Sequence, residues 1–240
     1  FSPAGDTLYA SFNEVIRSYK MPGFTEQTKG FIHDREVFRM AVSPDGRWLA
    51  ALCRLWNNPR AQLSIWDLKT GLLHQRWDGL TAGYSGRLSF SRDSRLLGVG
   101  LEDSLRVIAP ETGEDTTVIY TPAHLAMALS PDGQFVASSD GARLNIHRLA
   151  DRTLVKASDE HLREIVDLAY SPDGRFIASA SSDMSVILWD AITFWKLASI
   201  HDPDNEVSAV RFTPDSRRML VAELETMLHV WEIPEHFQSQ

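Results

Sequence analysis

A histidine, a serine and an aspartate lie near one another at His161, Ser179 and Asp183, the residue types of a hydrolytic triad. In such a triad the imidazole takes the proton of a nucleophilic hydroxyl while the carboxylate orients the ring. The serine argues against that chemistry. It falls in Phe176 to Ser181, a short run of small and apolar residues that reads as a buried strand, with no flanking nucleophile elbow or oxyanion-hole signature. Metal chemistry fares no better, because the eight histidines are scattered, His33-Asp34 and His201-Asp202 are isolated pairs, and no close multi-ligand spacing appears. No Gly-rich loop opens a helix that would cradle phosphates. Glu223 and Glu225 share a strand face, and with no pocket implied they read as solvated. No cofactor, metal or catalytic residue is expected, and the chain is not expected to be an enzyme.

The elements that carry these residues are short strands. In His161 to Asp190, Ile165, Asp167 and Ala169 alternate with Val166, Leu168 and Tyr170, and Ser171-Pro172-Asp173-Gly174 then supplies turn chemistry. Phe176 to Ser181 is a second strand, Ser182 to Ser185 a polar turn, and Val186 to Trp189 a third strand. The same turn signal recurs from Ser2, Ser43, Ser91, Ser130, Ser171 and Thr213, at spacings of 41, 48, 39, 41 and 42 residues. A period near forty with four short strands per unit indicates propeller blades, since helical solenoids need amphipathic helices that are absent here.

Composition bounds the rest. The 240 residues are 43% hydrophobic, ample for a packed core, and no window reaches eighteen uninterrupted apolar residues. A net charge of −8 and a pI near 5.5 argue against a broad grip on nucleic acid or anionic lipid, so neither nucleic acid nor membrane is expected as a partner. The single cysteine, Cys53, cannot form an internal disulfide, which favours a reducing, cytoplasmic setting. Phe1 to Asp6 reads as the end of a strand and its turn, so upstream sequence is expected.

Ile65-Trp66-Asp67, Leu188-Trp189-Asp190 and Val230-Trp231-Glu232, with Thr70-Gly71 and Thr112-Gly113 after strand endings, resemble the WD-repeat β-propellers. The resemblance implies an all-β propeller of four-stranded antiparallel blades in one domain spanning 1–240 and truncated at its N-terminus. Six blades are visible, at about 1–35, 36–80, 81–121, 122–160, 161–202 and 203–240. The first lacks most of its inner strand a and the last lacks its outer strand d, so an upstream segment is expected to supply both, either completing six blades or adding a seventh. Strand d of blade one is expected at Lys29 to His33. Phe194, Trp195 and Trp77 are expected to pack on outer strands.

The resemblance also assigns His161, Ser179, Asp183 and Trp189 to a buried structural network, linking the d–a connection to strands b and c. In blade three Asp103 is kept but Ala109 takes the tryptophan position. In blade four His147 takes the tryptophan position and Gly141 the aspartate position, and in blade six Val221 and Glu225 replace serine and aspartate. Partners of the family dock on the face built by d–a and b–c connections, which places Arg35, Arg163, Glu102 and Ser182 as candidate protein-binding residues. Trp56 and Arg60 join them from the long Arg54–Ala61 insertion of blade two. The expected function is a non-catalytic protein- or peptide-binding scaffold or sensor module, the C-terminal part of a larger multidomain protein whose upstream domain is itself a candidate partner. Two alternatives stand beside it. One is the propeller of an enzyme, either lactonase- or lyase-like or a peptidase-associated gate, although the mid-strand positions Arg39, Ala126, Asp167 and Ala209 converge on no chemistry. The other is an architectural or oligomerising domain.

Overall fold

Each repeat begins with a turn whose hydrogen bonds follow from its residue types. In Ser171-Pro172-Asp173-Gly174 the Ser171 hydroxyl donates to Asp173 Oδ1 at 2.6 Å and accepts the Phe176 N–H at 2.9 Å, while Gly174 N–H donates to Ser171 O at 2.9 Å. Gly174 sits at φ +78°, the left-handed region that costs glycine little. Ser43, Ser91, Ser130 and Thr213 repeat the hydroxyl-to-aspartate bond at 2.5 to 2.7 Å. The first turn has Ala4 at the aspartate position, and Asp6 takes the Ser2 hydroxyl instead, at 2.7 Å.

The computed structural model describes residues 1–27, 30–32, 35–54, 60–81, 86–120, 126–201, 205–224 and 227–238. The chain divides into two compact units, Phe1–Thr121 and Pro122–Gln240. The first unit holds three sheets. Strands β1 (Thr7–Phe12), β2 (Val15–Lys20) and β3 (Thr25–Glu26) pair in order, and β4 (Phe31–Ile32) also pairs with β2. Strands β5 (Glu36–Val42), β6 (Trp48–Arg54), β7 (Arg60–Asp67) and β8 (Leu72–Thr81) form the second, and β9 (Arg87–Phe90), β10 (Leu97–Gly100), β11 (Ser104–Ala109) and β12 (Glu114–Tyr120) the third. In the second unit the sheets are β13 (Met127–Leu129) to β16 (Leu154–Ser158) through β14 (Phe135–Asp140) and β15 (Arg143–Arg148), then β17 (Ile165–Tyr170), β18 (Phe176–Ser181), β19 (Ser185–Asp190) and β20 (Lys196–His201). The last has three strands, β21 (Val207–Phe212), β22 (Arg218–Glu223) and β23 (Leu228–Glu232), followed by the short helix α1 (Glu235–Gln238). All pairings are antiparallel, and each sheet is one blade.

Central strands are buried on both faces, which is why they read as continuous apolar runs rather than as alternation. On β19, Ile187 and Trp189 pack with Ile146 and Ile177, while Val186 and Leu188 pack on the opposite side with Val210 and Met219. Blades two and three share a core of Leu52, Leu63, Leu97, Val99 and Ile108, and blades one and two share Ile16, Leu49 and Trp66. The two blades expected to be incomplete are so: β1 of the first has no inner neighbour and β23 of the last has no outer one among the described residues.

Register corrects three expectations. In blade five Ile177 faces Trp189, and in blade three the same pairing joins Leu97 to Ile108, so the tryptophan position is Ile108 and not Ala109. The cause is a shorter b–c turn: Leu101 N–H bonds Ser104 O around two residues, whereas Ser181 pairs with Ser185 around three. Second, the Arg54–Ala61 insertion is partly strand, because Arg54 pairs with Ala61 and Arg60 with Thr81, leaving 55–59, which include Trp56, outside the described residues. Third, the outer pairing of blade one falls on Thr25–Glu26 and Phe31–Ile32 rather than on Lys29 to His33, whose end residues also lie outside the described set.

Candidate functional site

The residues with triad chemistry do meet, in blade five. His161 precedes β17, Ser179 is mid-β18, Asp183 is in the β18–β19 turn and Trp189 is near the end of β19. His161 Nε2 is 2.7 Å from Ser179 Oγ and its Nδ1 is 3.1 Å from Asp183 Oδ2. The Trp189 indole N–H donates to Ser179 Oγ at 2.9 Å. Proton bookkeeping is then forced. An ionised carboxylate only accepts, so Nδ1 carries the proton to Asp183, Nε2 accepts the serine O–H, and the serine oxygen receives the indole. Asp183 further accepts the Leu162 N–H at 2.7 Å, the Ser185 hydroxyl at 2.5 Å and the Ser185 N–H at 3.0 Å.

Burial decides what this arrangement can do. Ser179 is 0% exposed, Trp189 1% and His161 3%. No substrate reaches a hydroxyl sealed between an indole and an imidazole. Burial pushes the His161 imidazole below its ordinary value, and the attraction of Asp183 only partly opposes this. For Asp183 burial acts upward, but the hydrogen bonds from Ser185 and Leu162 and the nearby His161 outweigh it and hold the carboxyl below the usual range.

The sister blades show which partner is missing in each. The position of Ser179, two residues beyond the partner of the tryptophan, is Ala51 in blade two, Val99 in blade three, Ser138 in blade four and Val221 in blade six. Blades two and six therefore keep an indole, Trp66 or Trp231, with no hydroxyl to receive it. Ser138 keeps the hydroxyl, fully buried, with no hydrogen-bond partner among the described residues. Blades two and six carry other polar links instead: Gln62 donates to Asp78, and the buried Glu223 pairs with His229 Nε2 at 2.6 Å and with Asn205 at 3.3 Å. These links escape sequence reading because their members are out of register with the blade-five pattern.

The candidate contact residues fall into two groups. In the first unit, Arg60 faces Thr81 across the ladder and Glu102 N–H donates to Thr81 O at 2.8 Å, which brings Arg60 and Glu102 to one place. Arg35 lies near enough to Asp78 to contribute to that carboxyl's lowered value, behind the larger effect of Gln62. In the second unit, Arg163 and Ser182 meet in blade five: the Ser181 hydroxyl bonds Arg163 O at 2.9 Å, and Ser182 N–H bonds Glu164 O at 3.0 Å. Of the aromatics expected to pack, Phe194 stacks on Phe135 and Trp77 borders the core, but Trp195 stands 68% exposed with Lys156 Nζ 4.4 Å from its ring centre. Of the mid-strand positions, Asp167 is engaged within the fold, accepting the Val210 N–H at 2.9 Å and pairing with Arg211. Among the described residues no group of three or more metal-ligating side chains occurs, and no helix is long and apolar enough to cross a membrane.

With the blade geometry established, comparison with known proteins places it. The family model described as "WD domain, G-beta repeat" matches residues 152–190, the stretch that ends in the Trp189 network. A solved structure described as "Crystal Structure of Mitotic Checkpoint Complex" superposes with a TM-score of 0.82 at 14% identity, covering 98% of this chain and 73% of that one. The chain belongs to the WD-repeat β-propellers. A WD-repeat relative from Gallus gallus, named as a subunit of chromatin assembly factor 1, is 24% identical over 169 residues, or 58% of this chain, and the match spans 30% of that relative's length. Blade five is thus the WD repeat with its network intact, and the other blades are divergent copies.

Proposed function

We propose that this WD-repeat chain is a non-catalytic scaffold that binds another protein or a peptide through its d–a and b–c connections. One observation carries the reading: its Ser, His and Asp constellation is consumed internally, with Ser179 sealed and accepting the Trp189 indole. Similarity to a protein named as an assembly-factor subunit, and to a structure named as a complex, supports a place in a protein assembly. The contact residues we assign are Arg35, Trp56, Arg60 and Glu102 in the first unit and Arg163 and Ser182 in the second. Neither nucleic acid nor membrane is the intended partner on this reading, which the charge of −8 supports. The whole chain acting as one domain, and a cytoplasmic setting supported by the buried free thiol of Cys53, belong to the same proposal.

Affinity capture from native lysate tests it, comparing the chain with an Arg35→Glu, Arg163→Glu variant whose melting curve is unchanged. Partners are expected to be lost from the variant. An identical set of captured proteins sinks the assignment of these connections.

A further inference from the structure

We propose that the connections of blades five and six form a docking row for a basic partner segment carrying apolar side chains; this rests on the scaffold reading above. Leu162 is 88% exposed, Met227 58% and Leu224 50%. Single exposed apolar residues are ordinary, but these three lie on connections tied directly to one another. Arg163, next to Leu162, reaches Glu206 at 3.8 Å. Glu206 O in turn accepts the Leu224 N–H at 2.9 Å, and Glu223 N–H bonds Met227 O at 3.0 Å. Leu162 is not a loose loop residue, because its N–H is held by Asp183 at 2.7 Å, inside the buried network. Backbones pinned in this way lose little entropy when a partner covers their side chains. The network of blade five therefore holds Leu162 in place on the surface.

Charge identifies the occupant. The first unit has 14 Lys and Arg against 14 Asp and Glu, and the second has 10 against 18, so the whole net charge of −8 belongs to the unit that bears the row. Around the row stand Glu160, Glu164 and Glu206; Lys196 pairs with Glu160 at 2.9 Å, and Arg163 with Glu206. Apolar side chains flanked by carboxylates fit a segment in which leucine-like residues alternate with lysine or arginine, attracted by the field and anchored by the apolar contacts.

Fluorescence anisotropy with a labelled Leu/Lys peptide tests the proposal, with Leu/Glu and Ser/Lys peptides of equal length as controls. The Leu/Lys peptide is expected to bind, more weakly as salt rises, and Leu162→Ser with Met227→Ser should weaken it at least about ten-fold, the loss expected for two truncated apolar anchors. Leu154→Ser, an exposed apolar change elsewhere in the same unit, should leave binding unchanged. Equal binding of either control peptide, an unaffected double variant, or an equal loss in the Leu154 variant overturns the row. Lysate partners that survive Leu162→Ser, Met227→Ser but are lost with Arg35→Glu, Arg163→Glu would keep the scaffold reading and remove this one.

Discussion

Acidification should test the network of blade five more sharply than any truncation. The folded His161 is held below its ordinary value by burial, so the native state resists a proton that the unfolded chain accepts near pH 6.5. The sign follows: where the unfolded state binds more protons, stability rises with pH, and it is lost as pH falls through about 6.5. At pH 5.5, relative to pH 7.5, the largest loss from this one group is about 1.4 kcal/mol, the free energy of protonating a group of pKa about 6.5 one unit below that value. Carboxylates contribute little in this window, because their ordinary values lie near 4 and Asp183 is shifted further down. A glutamine at 161 keeps one donor and one acceptor but cannot titrate. Urea unfolding followed by tryptophan fluorescence at pH 7.5, 6.5 and 5.5 is the assay. The advantage of the native chain over His161→Gln should shrink by up to about 1.4 kcal/mol across that range. A difference that is constant with pH refutes the assignment of a neutral, buried imidazole.

Two further contrasts follow from the repeats. Ser179→Ala should cost about 1–3 kcal/mol, because it strands the Trp189 indole N–H and removes the donor to His161, whereas Ser138→Ala, at the same position of blade four, should be within about 0.5 kcal/mol of neutral. Equal costs in chemical denaturation would show that the network has no special weight. In blade six, Ser216 occupies the left-handed turn position at φ 58° where blade five has Gly174, and its hydroxyl accepts the Asp173 N–H at 3.1 Å. Ser216→Gly should be nearly neutral, relief of about 1 kcal/mol of backbone strain offsetting the lost bond, while Ser216→Ala keeps the strain and should cost about 1 kcal/mol. Melting curves in which alanine matches or exceeds glycine would contradict this.

Legibility tracked the range of the interaction. The Ser-Pro-Asp-Gly turns are local: hydroxyl, carboxylate and φ preference act within five residues, so their positions and the strands between them could be read directly. The blade-five network was legible for a similar reason, since one repeat contains all four members at regular spacing. The Gln62–Asp78 and Glu223–His229 links were not, because they depend on which residues face each other after a bulge or a changed turn length. Ala109 was misplaced by the same kind of one-residue difference, which moves a side chain to the opposite face of a strand.

The candidate contact surface is the least legible part. Leu162 sits in the sequence as one apolar residue in a polar connection, and Leu224 and Met227 look no different from core leucines and methionines. Exposure is a property of what packs above a side chain, and that is settled by the neighbouring blade and its connections. The sequence by itself determined the repeat length, the turn positions, the strand content and the four residues that lock blade five, because those follow from short-range hydrogen bonding and alternation. Only the tertiary structure decided that the triad-like serine is sealed, that the Ser138 hydroxyl meets no hydrogen-bond partner among the described residues, and that an apolar row stands in the acidic unit, since burial and register arise when one sheet packs on the next.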